Sequence, residues 1–300
     1  MMKKIAAVLL LTGLPALALA KVPVVASFSI LADMTREIGG DRVEVVSLVG
    51  PDQDAHVFQP TPSDVKKVAA AKVLVVNGLG LEGWMGRLNK AASFKGVTVE
   101  AARGVKAREA PEEEHDHGHD HGHDHGALDP HVWHDPVRVQ TYIGNISAGL
   151  IKADPAGKAE YQRRAADYSA KVKALNDWAA KQFAAVPAAK RKMLTSHDAF
   201  AYLGERYQLK VMAIQGVSTE AEASAKGVAQ LVRQVKKEQV KAVFVENMSD
   251  KRLLEQLSKE AKVQIGGKLY ADALSAPSGP APSYLALFRY NVETILKSFR

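Results

Sequence analysis

Four histidines, His56, His131, His134 and His197, sit in separate polar segments of the chain, while six more crowd into one repeat. The segments read GPDQDAHVFQPTPSD, DPHVWHDP and TSHDAFAYLGERY. Taken singly, each ring could cap a helix or bond a backbone carbonyl. Taken together they suit another role, because a neutral imidazole offers one nitrogen to a borderline metal ion, at about 2.0 to 2.1 Å for zinc. Three rings from different loops leave a fourth position for an oxygen. Asp272, in KLYADALS, is the best acidic candidate for it; its plainer role is an N-cap for the segment that follows.

The repeat, HDHGHDHGHDHG over residues 115–126, presents His115, His117, His119, His121, His123 and His125 between aspartates and glycines. It offers many two- or three-ligand clusters, each weak, because every binding event must order the backbone. The whole stretch from Arg103 to Gly126 is charged and poor in apolar residues, and is expected to be a mobile loop. It would collect or sense zinc beside Asp129 to His131, or else be a solvated low-complexity insertion with incidental metal affinity.

The elements that would position these residues alternate in type. Short β-branched runs recur at Val22 to Phe28, Val43 to Val49, Val73 to Val76, Val97 to Val99, Met193 to Thr195, Lys210 to Ile214, Ala242 to Val245 and Val263 to Leu269. Most are followed by a polar loop and a helix-like segment, which implies parallel sheets covered on both faces. The fold class is therefore α/β, in two lobes of four strands each. Between the two groups, Pro155 to Ala184 carries Tyr161, Ala165, Tyr168, Val172, Leu175 and Ala179 at three- and four-residue spacing, one long amphipathic helix. At ~1.5 Å per residue it would reach roughly 40 Å and join the lobes rigidly. Each histidine loop then follows a strand or opens a helix, where open α/β sheets place ligand contacts.

Composition narrows the class further. The opening MMKKIAAVLLLTGLPALALA runs from two lysines through a short apolar stretch to Ala18-Leu19-Ala20, the pattern of a cleaved secretory signal. The division expected is a signal peptide at 1–20, a first lobe at 21–154 carrying the mobile loop 103–126, a connecting helix at 155–186 and a second lobe at 187–300. With no cysteine, disulfides, thiolate ligands and a lipid-modified N-terminus are excluded, and a periplasmic location is expected. The formal charge of +7 is mild for 300 residues, and no basic patch interleaves with aromatics, so nucleic acid is not an expected partner.

In order along the chain, GPDQDAHVFQPTPSD, NGLGLEGWM, DPHVWHDP, TSHDAFAYLGERY, GVSTEAEAS, FVEN and LYADALS resemble the motif series of the cluster A-I metal-binding receptors of bacterial ABC transporters, the ZnuA and TroA type. The resemblance covers essentially the whole mature chain. It implies two α/β lobes joined by a long helix with the metal in the cleft between them. It also implies that His56 and His131 from the first lobe and His197 and Asp272 from the second are the ligands. The partner implied is the membrane permease of a zinc ABC importer, with a periplasmic zinc donor as a further one; the receptor itself is expected to be a monomer. Two features depart from the pattern. His134 stands where relatives commonly carry an apolar residue, and the cysteine pair of some zinc-specific relatives is missing.

The manganese-specific branch of the resembled family carries glutamate at the position of His197. Three imidazoles and one carboxylate suit tetrahedral zinc, whereas manganese prefers more oxygen ligands, so Zn2+ is expected ahead of Mn2+. The family's frequent histidine-rich loop points the same way. Asp54, Asp129, Asp135, Asp198 and Glu246 are candidates to orient the rings, and His134 is an auxiliary candidate. A zinc hydrolase, with Glu220 or Glu222 as base, is the competing reading. It is disfavoured because Asp272 would close the position a reactive water needs. A metal buffer or adhesin without transport is a third.

Overall fold

The computed structural model describes residues 20–110, 128–220, 225–240, 242–249 and 251–299. Residues 1–19 of the expected signal peptide and the histidine repeat lie outside these residues, as does Glu222. In chain order the first lobe contains β1 (Val22–Phe28), α1 (Ser29–Gly39), β2 (Val43–Val49), α2 (Pro62–Ala70), β3 (Val73–Val76), α3 (Met85–Ala92), β4 (Val97–Glu100) and α4 (Val139–Ala153). Then come α5 (Lys158–Ala184) and the second lobe: β5 (Lys192–His197), α6 (Ala201–Tyr207), β6 (Lys210–Gln215), α7 (Ala225–Glu238), β7 (Ala242–Glu246), α8 (Lys251–Ala261), β8 (Gln264–Leu269) and α9 (Tyr284–Phe299).

Both sheets are parallel and have the same order, β2-β1-β3-β4 and β6-β5-β7-β8. The chain therefore reverses its winding between β1 and β3 in one lobe and between β5 and β7 in the other. Such a switch opens a crevice at the carboxyl ends of the strands. The eight expected strands are all present, with ends shifted by a residue or two. β1 and β3 are almost wholly buried, as strands covered by helices on both faces must be.

The connecting helix α5 has 27 residues, about 40 Å. It starts one turn after Pro155, because Pro155–Gly157 winds as a 3₁₀ turn. Its buried stripe is Tyr161, Tyr168, Val172, Leu175, Ala179 and Phe183, the periodic set read from the sequence with Phe183 added and Ala165 only partly covered. One face packs on α1 and α4, and the same helix continues onto α6 and α9.

A single apolar core runs through the interface of the lobes. Trp133 lies within it and joins the lobes: its ring lies 5.1 Å from that of Phe28, its Nε1–H donates to Ala271 O at 2.9 Å, and its carbonyl accepts from Tyr284 Oη at 2.9 Å. An interface this apolar, backed by one continuous helix, resists large hinge opening. Among the described residues no helix is long and apolar enough to cross a membrane.

Candidate metal centre

His197 is the last residue of β5 and Glu246 the last of β7, so the two flank the second lobe's winding switch. The Glu246 carboxylate accepts His197 N–H at 3.0 Å, and a very short bond joins its other oxygen to His197 Nδ1. With Nδ1–H committed to a carboxylate, Nε2 is the ring nitrogen that faces the cleft.

His131 is held in the same way from the other lobe. Asp129 Oδ1 accepts both His131 N–H, at 3.0 Å, and Nδ1, at 2.9 Å. The preceding Pro130 carbonyl accepts from Asn77 Nδ2 at 3.0 Å, and Asn77 accepts from Tyr142 Oη. Tyr202, on α6, donates to Asp129 O at 2.8 Å, so the second lobe also braces this turn.

His56 lies on the irregular segment between β2 and α2. Asp54 Oδ1 accepts its backbone N–H at 2.8 Å, and Trp84 Nε1–H donates to the neighbouring Ala55 carbonyl at 2.8 Å. Thr61 and Asp64 form a capping box that ends the segment and starts α2. Asp272 follows β8; Asn247 accepts from Ala271 N–H at 3.3 Å and donates to Ala273 O at 3.3 Å, bracketing the aspartate.

These four residues meet. Their ligand atoms all lie within 4.8 Å of one another. His131 Nε2 is 3.3 Å from both His56 Nε2 and His197 Nε2. The Asp272 oxygens stand 3.5 Å from His56, 3.5 Å from His131 and 3.2 Å from His197. A tetrahedron built on zinc bonds of about 2.0 to 2.1 Å has edges of about 3.3 to 3.4 Å. Both Asp272 carboxylate oxygens are buried without a hydrogen-bond partner. A buried carboxylate left this way is costly unless a cation faces it, so the donor set fits a metal ion.

The electrostatics of the metal-free cluster point the same way. Burial alone would lower the His197 pKa, but the charges of Glu246 and Asp272 outweigh it and raise the ring well above its ordinary value. Burial would raise Asp272, and the His197 and His131 rings instead hold it well below the usual carboxylate range. The cluster is arranged to keep positive charge among its rings, which a divalent ion supplies once it displaces the proton.

The other candidates fall elsewhere. His134 is buried, its ring 4.4 Å from that of Phe200, and lies outside the four-residue cluster. Burial, then repulsion from His131, pulls its pKa down to about 3, so it packs as a neutral ring. Asp198, half-buried, has its pKa raised by burial and by the charge of Asp129, and bonds no imidazole. Asp135 is engaged by Arg206 at 2.8 and 2.9 Å and by Arg138 at 3.2 Å. Asp54 serves the His56 backbone rather than its ring. Glu220 is exposed at a surface pocket shared with His56.

Sequence reasoning missed Trp133, Asn77, Tyr202, Asn247 and Glu82. Glu82 is buried and accepts from Ser27 Oγ at 2.6 Å, Asn77 N–H at 2.7 Å and Gly78 N–H at 3.2 Å. The only signal for it was a lone glutamate in the apolar run GLGLEGWM.

Residues 24–298 match the family model described as ZnuA, the periplasmic component A of the zinc-uptake complex. The chain is 34% identical over 284 residues to the manganese-binding lipoprotein MntA of Bacillus subtilis (strain 168), covering 92% of this chain and 89% of that one. It is 31% identical over 281 residues to the iron-binding protein YfeA of Yersinia pestis, covering 93% and 86%. Among solved structures, the periplasmic zinc-binding protein TroA of Treponema pallidum superposes with a TM-score of 0.85 at 27% identity, over 93% of this chain and 99% of that one.

Proposed function

The chain belongs to the ZnuA family, as a metal-binding receptor of an ABC transporter and not an enzyme, and we propose that its cargo is Zn2+. In this reading His56, His131, His197 and Asp272 hold the ion in the cleft, and the protein captures it outside the cytoplasm and delivers it to the permease of a zinc importer. Residues 1–20 serve as a leader, and the working receptor is a monomer with lobes at 21–154 and 187–300 joined through 155–186.

One observation carries the choice of metal. Three imidazole Nε2 atoms and the Asp272 carboxylate converge, with five of the six pairs 3.2 to 3.5 Å apart, close to the edges of a tetrahedral zinc site, and all four within 4.8 Å. Manganese favours additional oxygen ligands and six-coordination, and the four-residue cluster contains one carboxylate. The names of the relatives cut across this reading, since MntA is named for manganese and YfeA for iron. That makes metal preference the property to test first.

Competitive titration of the purified protein with Zn2+ and Mn2+ against a chromogenic chelator is the test. One tight ion per chain, with zinc preferred by at least about a hundredfold, is the expected result. Equal or tighter manganese binding contradicts the reading. A strain lacking the gene should grow poorly under zinc starvation and recover with added zinc; unimpaired zinc uptake would count against the transport role.

A further inference from the structure

Of the four cluster residues, only His56 reaches the surface at all. It is 6% exposed, against 0% for His131, His197 and Asp272. A pocket of about 500 Å³ lined by Val57, Phe58, Gln59, Trp84, Arg87 and Glu220 opens onto it. His131 and His197 have their rings tied to Asp129 and Glu246, and Asn247 brackets Asp272. An ion leaving the cluster therefore passes on the His56 side, and His56 is the ligand whose departure disturbs the others least.

What holds His56 against the second lobe is a small set of bonds from its own segment. Thr219, on the loop after β6, donates its hydroxyl to Asp54 Oδ2 at 2.7 Å. The other oxygen of that carboxylate accepts His56 N–H at 2.8 Å, so Asp54 ties the backbone of His56 directly to the second lobe. Two further bonds fix the start of the segment: Asn247 Nδ2 donates to Asp52 Oδ1 at 2.9 Å, and Asp52 N–H donates to Leu274 O at 2.9 Å. The Asp54–Thr219 bond is the one that reaches His56 itself.

We propose that Asp54 and Thr219 form a clasp across the lobes that keeps His56 over the bound ion and sets the rate at which the metal leaves. They are positioning residues, acting through His56 without touching the ion. The inference rests on the reading of His56 as a ligand. Release through such a clasp needs the segment from Asp54 to Thr61 to lift, with Asp52 still anchored and the Trp84–Ala55 bond broken, which reconciles exchange of a buried ion with lobes that share one core.

Rapid-mixing measurement of zinc release into excess chelator tests this on the wild type, Thr219→Val, Thr219→Ala, Thr219→Ser and His56→Ala. Losing one hydrogen bond to a charged acceptor should speed release by about tenfold in the valine and alanine variants, with the association rate changed less than about threefold. Thr219→Ser keeps the donor and should release zinc at the wild-type rate. Unchanged release in Thr219→Val, with His56→Ala still weakening the site, overturns the clasp and leaves the ligand assignment standing. Release that follows the melting temperature of the variants rather than the presence of the hydroxyl also overturns it. Undiminished zinc binding by His56→Ala would instead overturn the ligand assignment itself.

Discussion

The two lobes have the same strand order and each buries a glutamate carboxylate near the ends of its two central strands, Glu82 from the loop after β3 and Glu246 from the end of β7, yet the two carboxylates are used differently. In the first lobe Glu82 fills the crevice between β1 and β3, accepting from Ser27, Asn77 and Gly78 and touching no histidine. In the second, Glu246 ends β7 and accepts from His197 at the end of β5. The first lobe thus plugs its own crevice and sends its histidines from loops beyond it. The second places its histidine in the crevice. One topology yields a structural carboxylate in one copy and a ring-orienting carboxylate in the other, and the difference is decided by whether the donors facing it are a hydroxyl and backbone amides or an imidazole.

The lobes differ in packing as well. The first lobe's core is continuous with the interface between lobes. The outer side of the second sheet forms a separate apolar cluster around Met212, Val235, Val243, Leu254 and Leu257, and β8 leaves Ile265 45% exposed. A small detached cluster has fewer contacts to lose before it opens locally.

The largest expected effect comes from the cluster itself. His197→Ala should weaken the tight zinc site by more than about a hundredfold, beyond the loss expected from altering a ligand's support, as read by competition with a chelator. The paired glutamates come next. Glu246→Gln should cost about ten- to a hundredfold in zinc affinity, whereas Glu82→Gln should leave affinity within about threefold. Glu82→Gln should instead lower stability by about 1 to 3 kcal/mol, because one of the buried donors facing the carboxylate loses its acceptor, as read by thermal or denaturant unfolding. Equal effects of the two substitutions on zinc affinity would erase the distinction between the crevices.

A pH effect of intermediate size follows from His197. Its raised pKa means that the metal-free protein holds a proton there at neutral pH, and zinc must displace it. Affinity should therefore increase with pH and level off once the pH passes that raised value. Calorimetry in two buffers of different ionisation enthalpy should report proton release near pH 7, about one proton from this ring. Glu246→Gln removes the leading charge that raises the pKa and should reduce the release. The smallest effect is dynamic: amides of α7 and α8 should exchange faster than those of α1 and α4 by hydrogen exchange.

Much of this was legible in the chain because it depends on local pattern. Strand runs such as Val22–Phe28 and Val73–Val76 show as β-branched stretches, and the stripe from Tyr161 to Ala179 shows at helical spacing. The set His56, His131, His197 and Asp272, which the structure brings together, was the one the family resemblance implied; position after a strand or in a turn pointed to the histidine loops but left His134 beside His131 and an N-cap role for Asp272. The role of each acidic neighbour was not legible. Asp54, Asp129, Asp135 and Asp198 all sit within two residues of a histidine. Only Asp129 bonds a ring; Asp54 bonds a backbone amide, Asp135 two arginines, and Asp198 none of the imidazoles. That division depends on side chains from the other lobe, such as Arg206 and Thr219, whose proximity no sequence spacing encodes. His134 differs from His131 for the same reason: Phe200 covers it, and Phe200 arrives from 66 positions away.

The most direct test asks whether the tight ion belongs to the cleft or to the repeat. Zinc titration against a competing chelator should be run on the protein lacking residues 115–126 and, in parallel, on His131→Ala with the repeat intact. The cleft assignment predicts that the deletion retains one tight zinc per chain and loses only weaker ions, while His131→Ala loses the tight one. Loss of the tight ion on deleting the repeat, with His131→Ala unaffected, would contradict it.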